Sequence, residues 1–213
     1  MRTFSHWTLR YVKDRAALFW YEAFHPEHPW LTRTANEIIA SYLKPTDIGL
    51  EFGSGRSTVW LASRIAHLTS VEHDLRWAHR VRSMLTEHSI TNVDYRLIPL
   101  DQDEDSPSAV DAEYTRVADL FKADALDFVL IDGIYRDNCS LRVMDKIRPG
   151  GILVIDNINW YIPGGSHSPN SRRMLDGPKG DTWHKVAKRL FGWRKIWTTS
   201  GVTDTAIFFR PCE

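Results

Sequence analysis

Gly49-Leu-Glu51-Phe-Gly53-Ser54-Gly55-Arg-Ser57-Thr58-Val-Trp-Leu-Ala62 is the stretch from which the rest of the chain can be read. It is entered by a short apolar run, Ile48 to Phe52, with the length and composition of a buried strand. Two glycines then let the backbone turn tightly and let a ligand approach with no Cβ in the way. Ser57 or Thr58 can cap a helix running from Ser57 to Ala66. The first turn of such a helix offers free N–H groups and the positive end of its dipole. Strand, glycine turn and helix start together indicate a nucleotide-like ligand, cradled by Gly53, Ser54, Gly55, Ser57 and Thr58.

Working outward, strands and helices alternate. Leu68 to Glu72 reads as a second strand, Leu75 to His88 as a helix and Asn92 to Pro99 as a third strand. Asp101 to Ser108 is acidic and turn-rich, Val110 to Lys122 helical, and Asp127 to Asp132 an apolar strand of the kind buried on both faces. A helix from Asp137 to Ile147 is ended by Pro149-Gly-Gly, and Ile152 to Ile155 makes a fifth strand. This order predicts an α/β domain with a parallel sheet and right-handed crossovers. The end differs: after a helix over 181–191, Trp193 to Thr199 and Thr205 to Arg210 flank a Ser200-Gly201 turn, which predicts an antiparallel hairpin. Before the sheet, Thr8 to Phe24 and Thr34 to Leu43 carry helical spacing, broken by the prolines of His25-Pro-Glu-His28-Pro-Trp30. Residues 1–44 are therefore read as a helical cap on a single folding unit, 45–213.

Composition sets the outer limits. The chain has 213 residues, enough for one domain with a substantial core. Lys plus Arg equals Asp plus Glu at 27 each, which argues against a general nucleic-acid binder. No stretch approaches the ~18 apolar residues of a membrane span. The two cysteines, Cys139 and Cys212, form no C-x-x-C pair and are read as reduced thiols of a cytoplasmic protein. Nine tryptophans, among them Trp7, Trp20, Trp30, Trp160 and Trp183, are expected mostly in the core, with a few lining a pocket for a flat ligand.

Two carboxylates narrow the ligand. Glu72 ends the second strand 17 residues beyond Gly55, where a carboxylate can accept both ribose hydroxyls of a nucleoside, with His73 beside it. Glu51 stands just before the turn. A dinucleotide would bring a negative pyrophosphate there, whereas the cationic amino end of S-adenosylmethionine would meet an acid favourably, directly or through water. Glu-Phe-Gly-Ser-Gly-Arg-Ser-Thr, Val71-Glu-His-Asp, Leu130-Ile-Asp132-Gly and Arg148-Pro-Gly-Gly-Ile-Leu-Val-Ile-Asp156-Asn157 together resemble the ordered motifs of class I S-adenosylmethionine-dependent methyltransferases, over about residues 45–213. One departure is Ser57 where the family's loop usually has a third glycine. The resemblance implies a Rossmann-like methyltransferase sheet and places the adenine-binding residue just after the third strand, at Asp101. An ordinary loop acid is the equal alternative there.

Asp132 at the end of the fourth strand and Asp156-Asn157 at the end of the fifth resemble the metal site of the catechol and caffeoyl-coenzyme A O-methyltransferases. That resemblance implies Asp132, Asp156 and Asn157 as ligands of Mg²⁺ or another hard divalent cation, which would lower the pKa of a substrate hydroxyl. The alternative is that Asp156 and Asn157 only shape a turn. The family's catalytic lysine falls at Tyr135, with Arg136 next. Asp132, Tyr135, Arg136 and His167 are the catalytic candidates, although arginine stays protonated and is a poor base. His184 is a further candidate base. The Gly-, Pro- and Ser-rich segment 160–182 is expected to cover the substrate, with Arg172 and Arg173 available to an acidic one. His25 and His28 are read as structural. The expectation is an enzyme transferring a methyl group from S-adenosylmethionine to a small-molecule acceptor, most naturally a hydroxyl oxygen, without nucleic-acid or membrane partners and with a homodimer allowed. A noncatalytic S-adenosylmethionine-binding scaffold and an NAD-dependent oxidoreductase are the alternatives.

Overall fold

The computed structural model describes residues 8–103 and 107–212. Trp7 and part of the acidic loop, 104–106, lie outside the described residues. Seven strands form one sheet: β1 (Ile48–Phe52), β2 (His67–Glu72), β3 (Val93–Leu97), β4 (Leu126–Ile131), β5 (Ile147–Asp156), β6 (Arg194–Thr199) and β7 (Asp204–Phe209). Their order is β3-β2-β1-β4-β5-β7-β6. The first five run parallel, and β7 is antiparallel to both β5 and β6. The predicted parallel sheet with its antiparallel hairpin is therefore present.

The helices are α1 (Leu9–Phe24), α2 (Arg33–Tyr42), α3 (Arg56–Ala62), α4 (Leu75–Glu87), α5 (Glu113–Arg116), α6 (Arg136–Val143) and α7 (Gly180–Leu190). Three begin where a side chain accepts an otherwise orphaned N–H: Thr8 from Tyr11, Thr32 from Ala35 and Asp74 from Trp77. The sheet separates two apolar layers. One packs Leu50, Phe52 and Val129 against Tyr114, Val143 and Trp183 of α5, α6 and α7. The other packs Leu68, Phe128 and Leu130 against Ile39 of α2 and Trp60 and Leu61 of α3. Each such fully buried side chain contributes about 1.5–3 kcal/mol relative to exposure. Helix α1 buries no residue and leaves Phe19, Trp20 and Phe24 exposed.

Three elements differ from expectation, each for a local reason. Helix α3 stops at Ala62 rather than Ala66, because the Asn92 side-chain amide takes the carbonyls of Ala62 and Ile65 at 2.9 and 3.0 Å. The helix expected over 110–122 breaks into 3₁₀ turns (107–111 and 117–120) around a single turn of α5. There the Thr115 hydroxyl bonds the carbonyls of Ala112 and Val110, competing with regular helix. Helix α6 ends at Val143, and Pro149-Gly150-Gly151, expected as a turn, lies inside β5. Gly150 takes φ +76° and its N–H still reaches the Arg210 carbonyl at 2.9 Å, while the register of β4 on β5 shifts between Leu126 and Phe128.

Candidate functional site

The strand order reverses between β1 and β4, parallel neighbours in the sheet whose crossovers lead opposite ways. Open α/β sheets bind ligands in the crevice outside the carboxyl ends of such strands. A cavity of about 260 Å³ opens there. The loop after β1 supplies Gly53, Ser54, Gly55, Arg56 and Ser57; the end of β2 supplies Glu72, His73 and Asp74; the end of β4 supplies Asp132 and Gly133. Trp30 and Trp77 complete the wall.

The two glycines have different reasons. Gly53 has φ +92°, and a Cβ on it would lie 2.5 Å from the Gly133 amide nitrogen, so only glycine lets these two loops touch. A Cβ on Gly55 would make only ordinary contacts, with Trp77 at 3.8 Å and Ser57 Oγ at 3.9 Å. Glycine there leaves space rather than conformational freedom. Helix α3 is capped differently from the expectation. Gly55 is the N-cap, and its N–H donates to the Thr58 hydroxyl at 2.9 Å.

Glu72 lies where the sequence reading placed it, at the carboxyl end of β2 and on the cavity wall. One carboxylate oxygen accepts from the His73 and Asp74 amides at 2.8 and 2.9 Å; the other accepts from the Ser54 amide and hydroxyl at 3.1 and 2.8 Å. Burial pulls this carboxyl upward, but the His73 side chain, the Asp74 amide and Ser54 outweigh it and hold it at about 2. Glu72 is thus a permanent carboxylate that also ties the glycine loop to β2. The Ser54 hydroxyl shares a second contact, 2.8 Å, with that of Tyr95.

Glu51 is displaced from its expected role. It is fully buried beneath the loop and is not among the cavity-lining residues. The Thr58 and Ser70 hydroxyls each donate to its Oε2 at 2.6 Å, while Oε1 has no hydrogen-bond partner among the described residues. Burial raises its carboxyl to about 7, against the opposing pull of the hydroxyls of Ser57, Ser70 and Thr58. Alternation along β1 is the reason: Leu50 and Phe52 face one core layer, and Glu51 points to the side where α3 packs.

The remaining candidates separate. Asp101 accepts from the Glu113 amide at 3.1 Å and lines a different depression with Arg96 and Arg116, so it is not at this cavity. Tyr135 is buried, packs edge-on against Tyr114 and donates its hydroxyl to the Gln102 carbonyl, which removes it from the role of base in the cleft. His167 is exposed and outside the residues lining the cavity. Arg172 donates to the carbonyls of Gly177 and Asp176, and Arg173 pairs with the Asp176 carboxylate at 2.8 Å, so both brace their own loop. No residue of 160–182 lines the cavity. The segment is fastened elsewhere: Ser168 donates to Asp204 at 2.6 Å, and Tyr161 stacks on Trp183 at 4.6 Å. His25 and His28 both bond Tyr21, in line with a structural role.

Asp132, Asp156 and Asn157 do come together, but around Arg136. The guanidinium donates through Nε to the Gly133 carbonyl at 2.8 Å and through one terminal nitrogen to the Asp132 carbonyl and carboxylate at 2.7 and 3.0 Å. Through the other it donates to the Asp156 carbonyl at 2.6 Å and to Asn157 Oδ1 at 3.0 Å. The Asp156 carboxylate turns instead to β7, accepting from the Thr205 hydroxyl at 2.6 Å. Burial and the nearby Asp132 charge both push the Asp156 carboxyl upward. The expected metal donors are therefore already engaged, and the set does not fit a divalent ion as arranged. No cluster of three or more His, Cys, Asp or Glu side chains suited to a metal occurs among the described residues. Arg136 holds backbone in place and is neither base nor substrate ligand.

No protein-family profile and no curated protein matches the chain. Solved structures do. A putative caffeoyl-CoA O-methyltransferase from Staphylococcus aureus superposes with a TM-score of 0.57 at 16% identity, over 92% of this chain and 91% of that one. A SAM-dependent O-methyltransferase from Thermotoga maritima gives 0.55 at 13% identity, over 90% of this chain and 71% of that one. A putative methyltransferase from Streptococcus mutans in complex with SAH gives 0.54 at 10% identity, over 83% and 95%. The chain has the class I methyltransferase fold.

Within this methyltransferase fold, the sequence reading passed over Trp77 and Arg56 at the cavity and Tyr95 behind it, whereas Trp30 stood among the tryptophans expected in the core or lining a pocket. Trp77 stands five residues after Glu72, in the first turn of α4, and donates its indole N–H to the Ser54 carbonyl at 2.6 Å. Trp30 stacks on it at 6.0 Å, and the Arg56 guanidinium lies 5.1 Å from the Trp30 ring. Tyr95 completes the contact behind Ser54. Trp77 was discoverable, because a residue in the first turn after a parallel strand faces the ligand crevice. Which of the named tryptophans reaches the cavity was not, since the position of Trp30 depends on how the segment before α2 folds back. At this cavity the wall opposite the glycine loop comes from this tryptophan pair and from no residue of 160–182. No helix among the described residues is long and apolar enough to cross a membrane.

Proposed function

We propose that the chain binds S-adenosylmethionine over the 53–57 loop and transfers its methyl group to a hydroxyl oxygen of a small molecule. The observation that carries this reading is that Glu72, the glycine loop and Asp132 line one cavity at the sheet reversal. The glycine cradle fits an adenosyl ligand, because Gly55 leaves the loop open where a side chain would project toward Trp77. Glu72 offers ribose hydroxyls a carboxylate that stays ionised. The O-methyltransferases among the structural neighbours, and the SAH bound in one neighbour, support the cofactor and the oxygen acceptor over an NAD-dependent reaction.

When bound, S-adenosylmethionine supplies a methyl group on a sulfonium, and its C–S bond breaks as the acceptor oxygen forms the new C–O bond. The chain's part is positioning and proton acceptance. Asp132 is suited to the second. Arg136 holds one of its carboxylate oxygens, and the residue lines the cavity with 31% of its side chain exposed. Asp132 takes the acceptor's hydroxyl proton while the loop and Glu72 fix the adenosyl end. The cavity is smaller than the roughly 300–1,000 Å³ usual for ligand sites. Trp30 and Trp77 border the cavity, so cofactor entry is expected to shift this pair relative to Ser54.

Calorimetry with S-adenosylhomocysteine and with NAD tests the cofactor class. Binding of the former alone is expected, and its failure to bind at millimolar concentration would overturn the reading. Methyl transfer from labelled S-adenosylmethionine to a panel of phenols and aliphatic alcohols then separates an enzyme from a binding scaffold.

A further inference from the structure

Parallel pairing of Ile131 with Ile155 brings the ends of β4 and β5 side by side, so Asp132 and Asp156 leave the sheet as neighbours. The chain turns through a non-glycine residue in the left-handed region four residues after the end of β4, at Tyr135 (φ 48°), and directly after β5, at Asn157 (φ 50°). Such residues are unfavourable and persist where surrounding contacts over-determine them. Tyr135 is held by Tyr114 and the Gln102 carbonyl, and around Asn157 it is Arg136 that supplies those contacts. A guanidinium has five N–H donors and no acceptor. Here the five have five acceptors: the carbonyls of Gly133, Asp132 and Asp156, the Asp132 carboxylate and Asn157 Oδ1. Its charge is permanent, and its planar fork is fixed by both strand ends.

We infer that Arg136 stands in the place of the divalent ion: a built-in cation that orients Asp132 and the two strand-end loops, so that the proposed reaction proceeds without metal. Two observations support it. The oxygens an ion would need on Asp132 and Asn157 already accept from the guanidinium, and the Asp156 carboxylate is turned onto Thr205. A Mg²⁺ ion demands near-ideal octahedral oxygen ligands at about 2.0–2.1 Å, which this fork excludes, and a second cation beside the guanidinium would be repelled. Because every donor has a protein acceptor, Arg136 acts through Asp132 and is a positioning residue.

The inference rests on the methyl-transfer reading only for its last clause, and its test is independent of activity. Mn²⁺ is titrated into the full chain, followed by calorimetry and by thermal unfolding. Wild type is expected to show no saturable binding and no rise in Tm. Arg136→Ala, which frees the oxygens of Asp132 and Asn157, is expected to gain one Mn²⁺ site. Its Tm should rise by about 2–4 °C when the ion is several-fold above Kd. Arg136→Lys keeps a cation in place and should gain none. Saturable Mn²⁺ binding by wild type that disappears in Asp132→Asn would overturn the inference, as would a folded Arg136→Ala chain that binds no ion. Should Arg136→Ala fail to fold, the wild-type and Arg136→Lys titrations decide, since one-site binding in either contradicts a resident guanidinium. Failure of S-adenosylhomocysteine to bind would overturn the functional reading and leave the metal result standing.

Discussion

Trp77 closes onto the glycine loop by donating its indole N–H to the carbonyl of Ser54 at 2.6 Å, with Trp30 stacked behind it at 6.0 Å. Both tryptophans and Ser54 line the cavity proposed for the adenosyl ligand. S-adenosylhomocysteine is therefore expected to change tryptophan emission on binding. Trp77→Phe removes the bond to Ser54 and should abolish most of that change while retaining affinity within about tenfold, the loss of about one hydrogen bond at most. Emission that is insensitive to saturating ligand would contradict the gating role.

The two glycines of the loop should respond oppositely to alanine. Gly53→Ala forces a Cβ to within 2.5 Å of the Gly133 amide at φ +92°, so a loss of at least about 1–3 kcal/mol and a Tm lowered by several degrees are expected. Gly55→Ala meets only ordinary contact at 3.8 Å, so Tm should hold while S-adenosylhomocysteine binding weakens. Thermal melts with and without ligand separate the two. Equal stability of both variants would refute the distinction.

Glu72 is held at about 2 against its ordinary 4.5, so the folded state favours its ionised form. The stability this provides is fully present above pH 4.5 and is lost as pH falls toward 2. Glu72→Gln should weaken S-adenosylhomocysteine binding at least tenfold and flatten stability between pH 4.5 and 2.5. It should also cost about 1–3 kcal/mol at neutral pH, because an amide cannot satisfy the His73, Asp74 and Ser54 donors. An unchanged acid limb in urea titrations would refute the assignment.

Glu51 has the opposite sign. Its carboxyl is raised from 4.5 to about 7, so the folded state favours the protonated form. That contribution, roughly 3 kcal/mol, is present below pH 4.5 and is lost as pH rises through 7. Glu51→Gln mimics the neutral acid and should remove this part of the decline in stability between pH 5 and 8. Denaturant unfolding at four pH values across that range checks it; parallel profiles for wild type and variant would rule it out.

Asp132→Asn keeps an oxygen for Arg136 but removes the proposed proton acceptor. S-adenosylhomocysteine affinity is expected to stay within about threefold while methyl transfer falls by about 10²–10⁴, the usual contribution of a general base. Retained turnover would place the base elsewhere.

Much of this protein was legible in its sequence because the signals were local. Ile48 to Phe52, Asp127 to Ile131 and Ile152 to Ile155 are short apolar runs bounded by turn residues. The order of these elements determined the parallel sheet and its closing hairpin, and chain direction alone placed Glu72 and Asp132 at the carboxyl ends of their strands. The tertiary structure decided where side chains at those ends point and what they meet. Glu51 is an acid at a strand end like Glu72, yet pleat and the packing of α3 bury it, while Glu72 reaches the cavity. Asp132, Asp156 and Asn157 carry the pattern of a metal site, yet the left-handed turns at Tyr135 and Asn157 bring Arg136 back across all three. Residue type and spacing set which groups can meet. The direction of a side chain depends on contacts between segments far apart in the chain, and only the assembled sheet, with α6 packed on one face of it, supplies those contacts.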